Sequence, residues 1–496
     1  MNTHNAISAA PIETDPLPRN RALFYGGKWL PARSGATFES VSPGSGRSLG
    51  LVADAGGEDV DAAVRAAHDA LAGWRDTPPL ERAKMLRAMA ALVRKHAREL
   101  ALLDALDCGN PVAAMVGDAE IAASQLDFFA GLVTEMKGAS IPMGPGRLNT
   151  SIREPLGVVA RIVPFNHPFM FVAGKSAAPL AAGNTVVMKP SEQAPLSALR
   201  LAELIEGILP PGVFNVVTGS TRSTGEALVA HPLVAKVALI GSVNAGKAVM
   251  RQSADTLKQV LLELGGKNAL IAYPDADPRE VARALVAGMN FAWCGQSCGS
   301  TSRGFIHEAI HAEVLTCLKE DISAFKPGLP EDWSTTMGAI SSRAQYERVR
   351  HYIGTAIAEG ATLLCGGGRP AATHLSNGLF IEPTVFHGVT SDMTIAREEI
   401  FGPVLSLLSW KDEAEMFSAV NGGDLGLTCS IWTNNLQTAM RAATTAQAGF
   451  VWVNEVSKHF LGAPFGGYKQ SGIGREECVE ELISFTQEKN IHIRFG

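Results

Sequence analysis

The spacing of apolar positions changes along this chain, and the change divides it. Residues 58–74 and 80–106 repeat apolar side chains at helical spacing; Leu80, Met85, Leu86, Met89, Leu92 and Val93 share one face. From Gly157 onward, short β-branched runs alternate with helical patterns. The runs at 158–163, 185–188, 213–217, 234–240 and 260–264 predict strands, and stretches such as 196–208 predict helices. Strand–helix alternation of this kind predicts a Rossmann-like parallel sheet with helices on its faces. A second block begins near Ile271. Helical patterns at 278–290 and 308–323 flank the apolar run Gly304-Phe305-Ile306 and predict a second α/β domain.

Three stretches fit neither block. Residues 1–20 are polar and contain proline, which predicts a flexible arm; they lack the basic start and apolar core of a secretory signal. Residues 131–153 form an arm containing Gly and Pro, and Ile491-His492-Ile493-Arg494-Phe495 alternates apolar and polar residues. Together these predict a small β oligomerisation arm that pairs with another subunit; the plainer alternative is an edge strand on the parent domain. The expected organisation is an α/β chain with a first domain over 21–130 and 154–270, a second over 271–474, and arm and tail over 131–153 and 475–496.

Bulk properties narrow the function. A chain of 496 residues exceeds one ordinary core, and 46% hydrophobic with 19% charged residues suits a globular protein. A net charge of −6 argues against a nucleic-acid footprint. The sequence holds no apolar run of about 18 residues, so no membrane span is expected. Seven scattered cysteines do not make a disulfide framework and predict a reducing, cytoplasmic setting.

Several fingerprints are near-misses. Gly241-Ser242-Val243-Asn244-Ala245-Gly246-Lys247 resembles a phosphate-binding loop, but Ala248 stands where Ser or Thr must ligate magnesium. Gly295-Gln296-Ser297-Cys298-Gly299 matches the Gly-x-Ser-x-Gly elbow of serine hydrolases without supporting Asp and His context. Gly44-Ser45-Gly46 precedes any βαβ pattern and reads as a turn. Taken singly, Cys298 reads as a buried structural thiol, Asn166 as a turn residue before Pro168, and Glu263 as a solvent-facing strand end.

Six ordered segments change that. Pro164-Phe165-Asn166-His167-Pro168, Thr185-Val186-Val187-Met188-Lys189-Pro190-Ser191-Glu192, Gln259-Val260-Leu261-Leu262-Glu263-Leu264-Gly265-Gly266-Lys267-Asn268, Phe291-Ala292-Trp293-Cys294-Gly295-Gln296-Ser297-Cys298, Glu398-Glu399-Ile400-Phe401-Gly402-Pro403-Val404 and Pro464-Phe465-Gly466-Gly467-Tyr468-Lys469-Gln470-Ser471-Gly472 resemble, in order, the motifs of the aldehyde dehydrogenase superfamily. The resemblance covers about residues 22 to 495. It implies a cofactor domain followed by a catalytic domain, and NAD(P)-dependent oxidation of an aldehyde to its acid without transfer to coenzyme A.

By that resemblance Cys298 is the nucleophile, and Asn166 with the Cys298 N–H meets the oxyanion. Glu263 is the general base, and Lys175 and Glu476 relay protons, although both could be exposed charges. Ile162, Val163, Pro164, Phe165, Lys189, Ser191, Glu192, Gly225, Gly241, Ser242, Leu264, Glu399 and Phe401 line the cofactor site. Lys189 and Glu192 match the ribose-binding pair, where a carboxylate favours NAD while NADP stays possible. Gly225 and Ser242 are expected at helix starts near the pyrophosphate. The chain departs from the family pattern at Leu239-Ile240, at Val243-Asn244 and at His167, which replaces an aromatic or apolar residue.

Substrate-lining candidates are Phe169, Met170, Trp293, Ser297, His459, Phe460 and Leu461. They favour an uncharged aromatic or medium apolar aldehyde. The absence of Arg weakens a semialdehyde, while Trp293 could belong to an aromatic cage for a betaine-type cation. No metal is expected. The partner is a small aldehyde, with neither nucleic acid nor membrane involved, and the arm and tail imply a homodimer or homotetramer. A cofactor-independent thiol or serine esterase and a non-catalytic binding protein are the rival classes.

Overall fold

The computed structural model describes residues 15–495. Two sheets carry the chain. The first has eight strands in the order Lys28–Leu30, Leu23–Tyr25, Phe214–Val216, Thr185–Lys189, Val158–Ile162, Val234–Ile240, Gln259–Glu263 and Gly472–Ile473. Its five central strands are parallel, and antiparallel strands close both sides. These strands are mostly apolar because helices cover both faces; all five residues of Thr185–Lys189 are buried. The order of the parallel strands reverses beside Val158–Ile162, the place where open α/β sheets form a ligand crevice.

The second sheet runs Thr362–Cys365, Thr384–His387, Val404–Trp410, Arg303–His307, Ala269–Ala272, Thr428–Trp432, Phe450–Val453, parallel except at its first strand. It begins with Ala269, slightly before the expected boundary at 271, because the chain leaves the first sheet at Gly265-Gly266. A third sheet joins Ser140–Pro142, Arg147–Pro155 and Thr486–Arg494, and the last two pair over nine positions.

Several expectations need correction. The helical stretch 80–106 is two helices, Pro79–Lys95 and Ala97–Cys108, because His96 leaves helical geometry at φ −101°, ψ 11°. The 20-residue helix Val112–Gly131 carries no periodic signal strong enough to read. Of the N-terminal arm, residues 1–14 lie outside the described residues. Its end is docked: Asn20 donates its N–H to Glu203 Oε1 at 2.6 Å, and Leu17 packs on the first core. The segment 475–485 is not part of the tail sheet. Leu482 and Phe485 are fully buried in the first core, since their apolar side chains fill space beneath the central strands. Among the described residues no helix is long and apolar enough to cross a membrane.

Candidate active site

The helix Pro278–Gly288 ends in a tight turn that presents Cys298. Asn290 and Cys294 take left-handed backbone geometry (φ 56° and 54°). Gly295 does so too, and a Cβ there would run into the Gly402 carbonyl. Gln296 ties the turn down by accepting the Ser341 N–H at 3.1 Å. Asn268 donates its amide to the carbonyls of Cys298 and Ser300 at 2.7 and 3.0 Å. A Cβ at Gly266 would lie 2.6 Å from the Cys298 carbonyl, so only glycine lets the two segments meet. Residues 295–299 are neither preceded by a strand nor followed by a helix, so the strand–turn–helix elbow of serine hydrolases is not formed.

Glu263 ends the strand Gln259–Glu263 and reaches the same point. The Cys298 thiol donates to its Oε2 at 3.8 Å, while its buried Oε1 has no partner. Burial, reinforced by Glu476 and opposed by Lys175, pushes the Glu263 carboxyl well above its usual range. Burial, with Glu263 and Glu399 beyond it, also raises the Cys298 thiol. Behind them lies a buried charge network. Lys175 Nζ meets Glu476 Oε2 at 2.9 Å and Glu477 Oε1 at 3.2 Å; Arg161 Nη2 meets Glu476 Oε1 at 2.7 Å. Burial would lower the Lys175 ammonium, but Glu476, Glu477 and Glu481 more than reverse this and raise it. Burial likewise opposes ionisation of Glu477, yet Lys175 and His459 bring its carboxyl down to about 2.

Cys298, Glu263, Lys175 and Glu477 line one cavity of about 640 Å³, with aromatic walls including Phe171, Trp293, Trp452 and Phe465. Asn166 is buried two residues before the helix Pro168–Ala181. Asn110 holds its backbone carbonyl at 2.7 Å, and its side-chain oxygen has no partner.

A second recess lies at the carboxyl ends of the parallel strands. The Val163 N–H donates to the Lys189 carbonyl at 3.1 Å, which aligns Ile162, Val163 and Pro164 with the next strand. Phe165 meets Phe401 edge-on at 5.9 Å, and Phe401 itself has φ 56°. Lys189 is buried, which lowers its ammonium; Glu192, exposed beside Ser191, and Asp54 oppose that shift. Gly225 lies in the first turn of Arg222–Ala230, where a Cβ would be 3.8 Å from the Lys189 stem. Gly241 donates to the Glu263 carbonyl at 3.0 Å, and Ser242 caps Val243–Ala254 by accepting the Ala245 N–H. Gly246 packs on Leu264 where a Cβ would clash at 2.6 Å, and Glu399 accepts the Gly266 N–H at 2.9 Å. Two helix N-termini beside a strand-order reversal, with glycine-thinned walls, fit a dinucleotide.

Residues 29–491 match the model of the Aldehyde dehydrogenase family. The chain belongs to that family. It is 52% identical over 494 residues to aldehyde dehydrogenase tropH of Talaromyces stipitatus, covering 98% of this chain and 95% of the relative. It is 40% identical to a betaine aldehyde dehydrogenase of Brucella anthropi, covering 95% of this chain and 97% of the relative. The NAD+ complex of the aldehyde dehydrogenase from Bacillus cereus superposes with a TM-score of 0.93 at 39% identity, covering 96% of this chain and 97% of that one.

In this aldehyde dehydrogenase two sequence-derived lining residues are not in the cavity. Phe169 is 1% exposed in the first core, with its N–H on Asp104 Oδ2 at 3.0 Å, and Phe460 is 60% exposed and does not line the cavity. Helical phase explains the first: the face that carries Lys175 also carries Phe171 four residues earlier, and Met170 beside it. Met170, Trp293, Ser297, His459 and Leu461 do line it. Sequence reasoning missed Glu477, Asn110 and the contact of His167 with Asp118. It also missed Phe171, which lines the cavity and whose spacing from Lys175 alone left a readable signal.

Proposed function

We propose that this aldehyde dehydrogenase oxidises an uncharged aromatic or medium apolar aldehyde to its carboxylic acid, with NAD as hydride acceptor. The observation that carries this is the 3.8 Å approach of Cys298 Sγ to Glu263 Oε2 on the wall of a cavity that Phe171, Trp293, Trp452 and Phe465 also line. The thiol proton passes to the carboxylate, and sulfur bonds to the aldehyde carbon as the carbonyl π pair moves to oxygen. The Asn166 amide and the Cys298 N–H meet that charge. NAD, when bound, supplies the acceptor for the hydride. Lys189 and Glu192 would hold its adenosine ribose, and the Glu192 carboxylate repels a 2′-phosphate, so NADP is the poorer cofactor. Gly225, Gly241 and Ser242 would face its pyrophosphate, with Ser191 and Leu264 alongside, and Glu399 and Phe401 would hold the nicotinamide end. Lys175 and Glu476 first relay the thiol proton away from Glu263, which then takes a proton from water as the hydroxide adds to the thioester carbon and the C–S bond breaks, the sulfur leaving as thiolate. Lys175 and Glu476 carry that proton away too. Water, rather than coenzyme A, is the acyl acceptor because Glu263 lies within reach of the sulfur.

The cavity also holds the carboxylates of Asp118 and Glu120, and one relative is a betaine aldehyde dehydrogenase, which favours a quaternary-ammonium substrate as the second reading. Asp118 is engaged by His167 and Glu120 by Arg94, and Lys458 lines the same wall, so an uncharged substrate fits better. Absorbance at the NADH band tests this with NAD or NADP and a panel of aromatic, aliphatic, semialdehyde and quaternary-ammonium aldehydes. Aromatic or medium apolar aldehydes should rank first and Cys298→Ala should be silent. A ranking led by betaine aldehyde would replace the substrate assignment, and turnover by Cys298→Ala would remove the covalent route.

A further inference from the structure

His167 stands immediately before the helix Pro168–Ala181, yet its ring does not cap that helix. Instead its Nδ1 lies 2.7 Å from Oδ2 of Asp118, a carboxylate projected from the neighbouring helix Val112–Gly131. The side chains are 15% and 4% exposed, so solvent competes weakly for this bond. Trp293 and Phe171 flank the imidazole at 5.6 and 5.5 Å between ring centres and fix its plane. A carboxylate on Nδ1 selects the tautomer with the proton there and leaves Nε2 with a bare lone pair. Among the described residues Nε2 makes no hydrogen bond, and His167 lines the cavity that contains Cys298.

An acceptor held this rigidly in an aromatic wall has a specific use. We propose that His167, positioned by Asp118, selects aromatic aldehydes that carry a hydroxyl group, which donates its proton to Nε2. This rests on the aromatic-aldehyde reading above and names the substituent. A bare ring or an ether at the same place gives Nε2 no donor and strips its water, so the enzyme discriminates by the cost of leaving a polar atom unpaired. Both members of the dyad are outside the reacting atoms: His167 sets specificity and Asp118 positions it.

The test compares kcat/KM for the three hydroxybenzaldehydes, their methoxy counterparts and unsubstituted benzaldehyde with NAD, at a pH where the phenol is neutral. For at least one ring position the hydroxy compound should exceed its methoxy analogue by about tenfold. His167→Phe should collapse that ratio toward one, His167→Gln, which keeps an acceptor, should retain part of it, and Asp118→Ala should reduce it severalfold. The ratio is taken within each variant, so general damage to activity cancels. A wild-type ratio near one at every position, or a preference undiminished in His167→Phe, overturns the inference while benzaldehyde turnover keeps the aromatic reading intact. Failure to oxidise any aromatic aldehyde overturns both.

Discussion

At Glu263 a carboxyl is withdrawn from water with one oxygen on the Cys298 thiol and the other unpartnered. Such a group is poor at holding charge, which makes it a stronger base when it is deprotonated. Because burial raises its pKa, kcat should climb with pH through a value above the ordinary glutamate range of about 4.3, and fall below it. A kcat that stays flat down to that range would contradict the assignment. Glu263→Gln should cut steady-state turnover by about 10²–10⁴ and slow the first burst of NADH as well, since the same carboxylate takes the thiol proton before attack. Cys298→Ala should lose about 10³-fold or more, as the covalent route needs sulfur. Cys298 and Glu263 could be singled out because each sits in a distinctive segment, and the fold brings the two to one cavity. Glu477 was not singled out: it follows Glu476 directly, and with a left-handed φ of 65° there both adjacent carboxylates meet Lys175 while Glu477 also reaches His459, an arrangement no spacing rule shows.

Strands and helices of the first sheet were easier to read than single residues. The run at 234–240 is the observed strand, and 185–188 gains only Lys189. These strands are buried on both faces, so their apolar runs are continuous and unmistakable. The later strands of the second sheet, Thr362–Cys365, Thr384–His387, Val404–Trp410, Thr428–Trp432 and Phe450–Val453, were not singled out in the sequence. The turn between the two sheets is the element on which the nucleophile depends. Gly266→Ala should displace Cys298 by forcing its carbonyl away, lowering kcat by roughly tenfold to a hundredfold for an ångström-scale misplacement, with global unfolding shifted far less. Turnover and a denaturation curve measured on the same sample check both halves. On the central strand, Arg161 is fully buried and answered by Glu476. Removing that answer with Glu476→Ala should cost about 3–5 kcal/mol in denaturant unfolding, because the buried Arg161 guanidinium loses its nearest counter-charge and Lys175 one of its two.

The whole molecule is two parallel-centred sheets with the nucleophile beside the segment that joins them, and that alternation was visible in the sequence. Which segments cross between the sheets was not, because Gly472–Ile473 pairs with the first sheet through only two residues. The three-stranded sheet exposes Ile141, Ile152 and Ile493 along its surface, with Phe495 at its end. We propose that it covers these in a homodimer or homotetramer; light scattering should give a multiple of 52.3 kDa, and charges placed at Ile141 and Ile493 should shift it toward one chain. Acid should loosen the molecule from its centre. Glu477, with its carboxyl at about 2 when folded, contributes stability in full above about pH 4.3 and loses it as pH falls toward about 2, which acid titration of unfolding will record. The same carboxylates bear on how the protein is made. Glu476, Glu477 and Glu481 leave the ribosome hundreds of residues after Arg161 and Lys175, whose charges they answer. A nascent chain stopped before Arg475 has both sheets' sequences but two cations to bury unaided. Only a polypeptide extended through Glu481 escapes that penalty, so products interrupted before it should be less stable and more open to proteases.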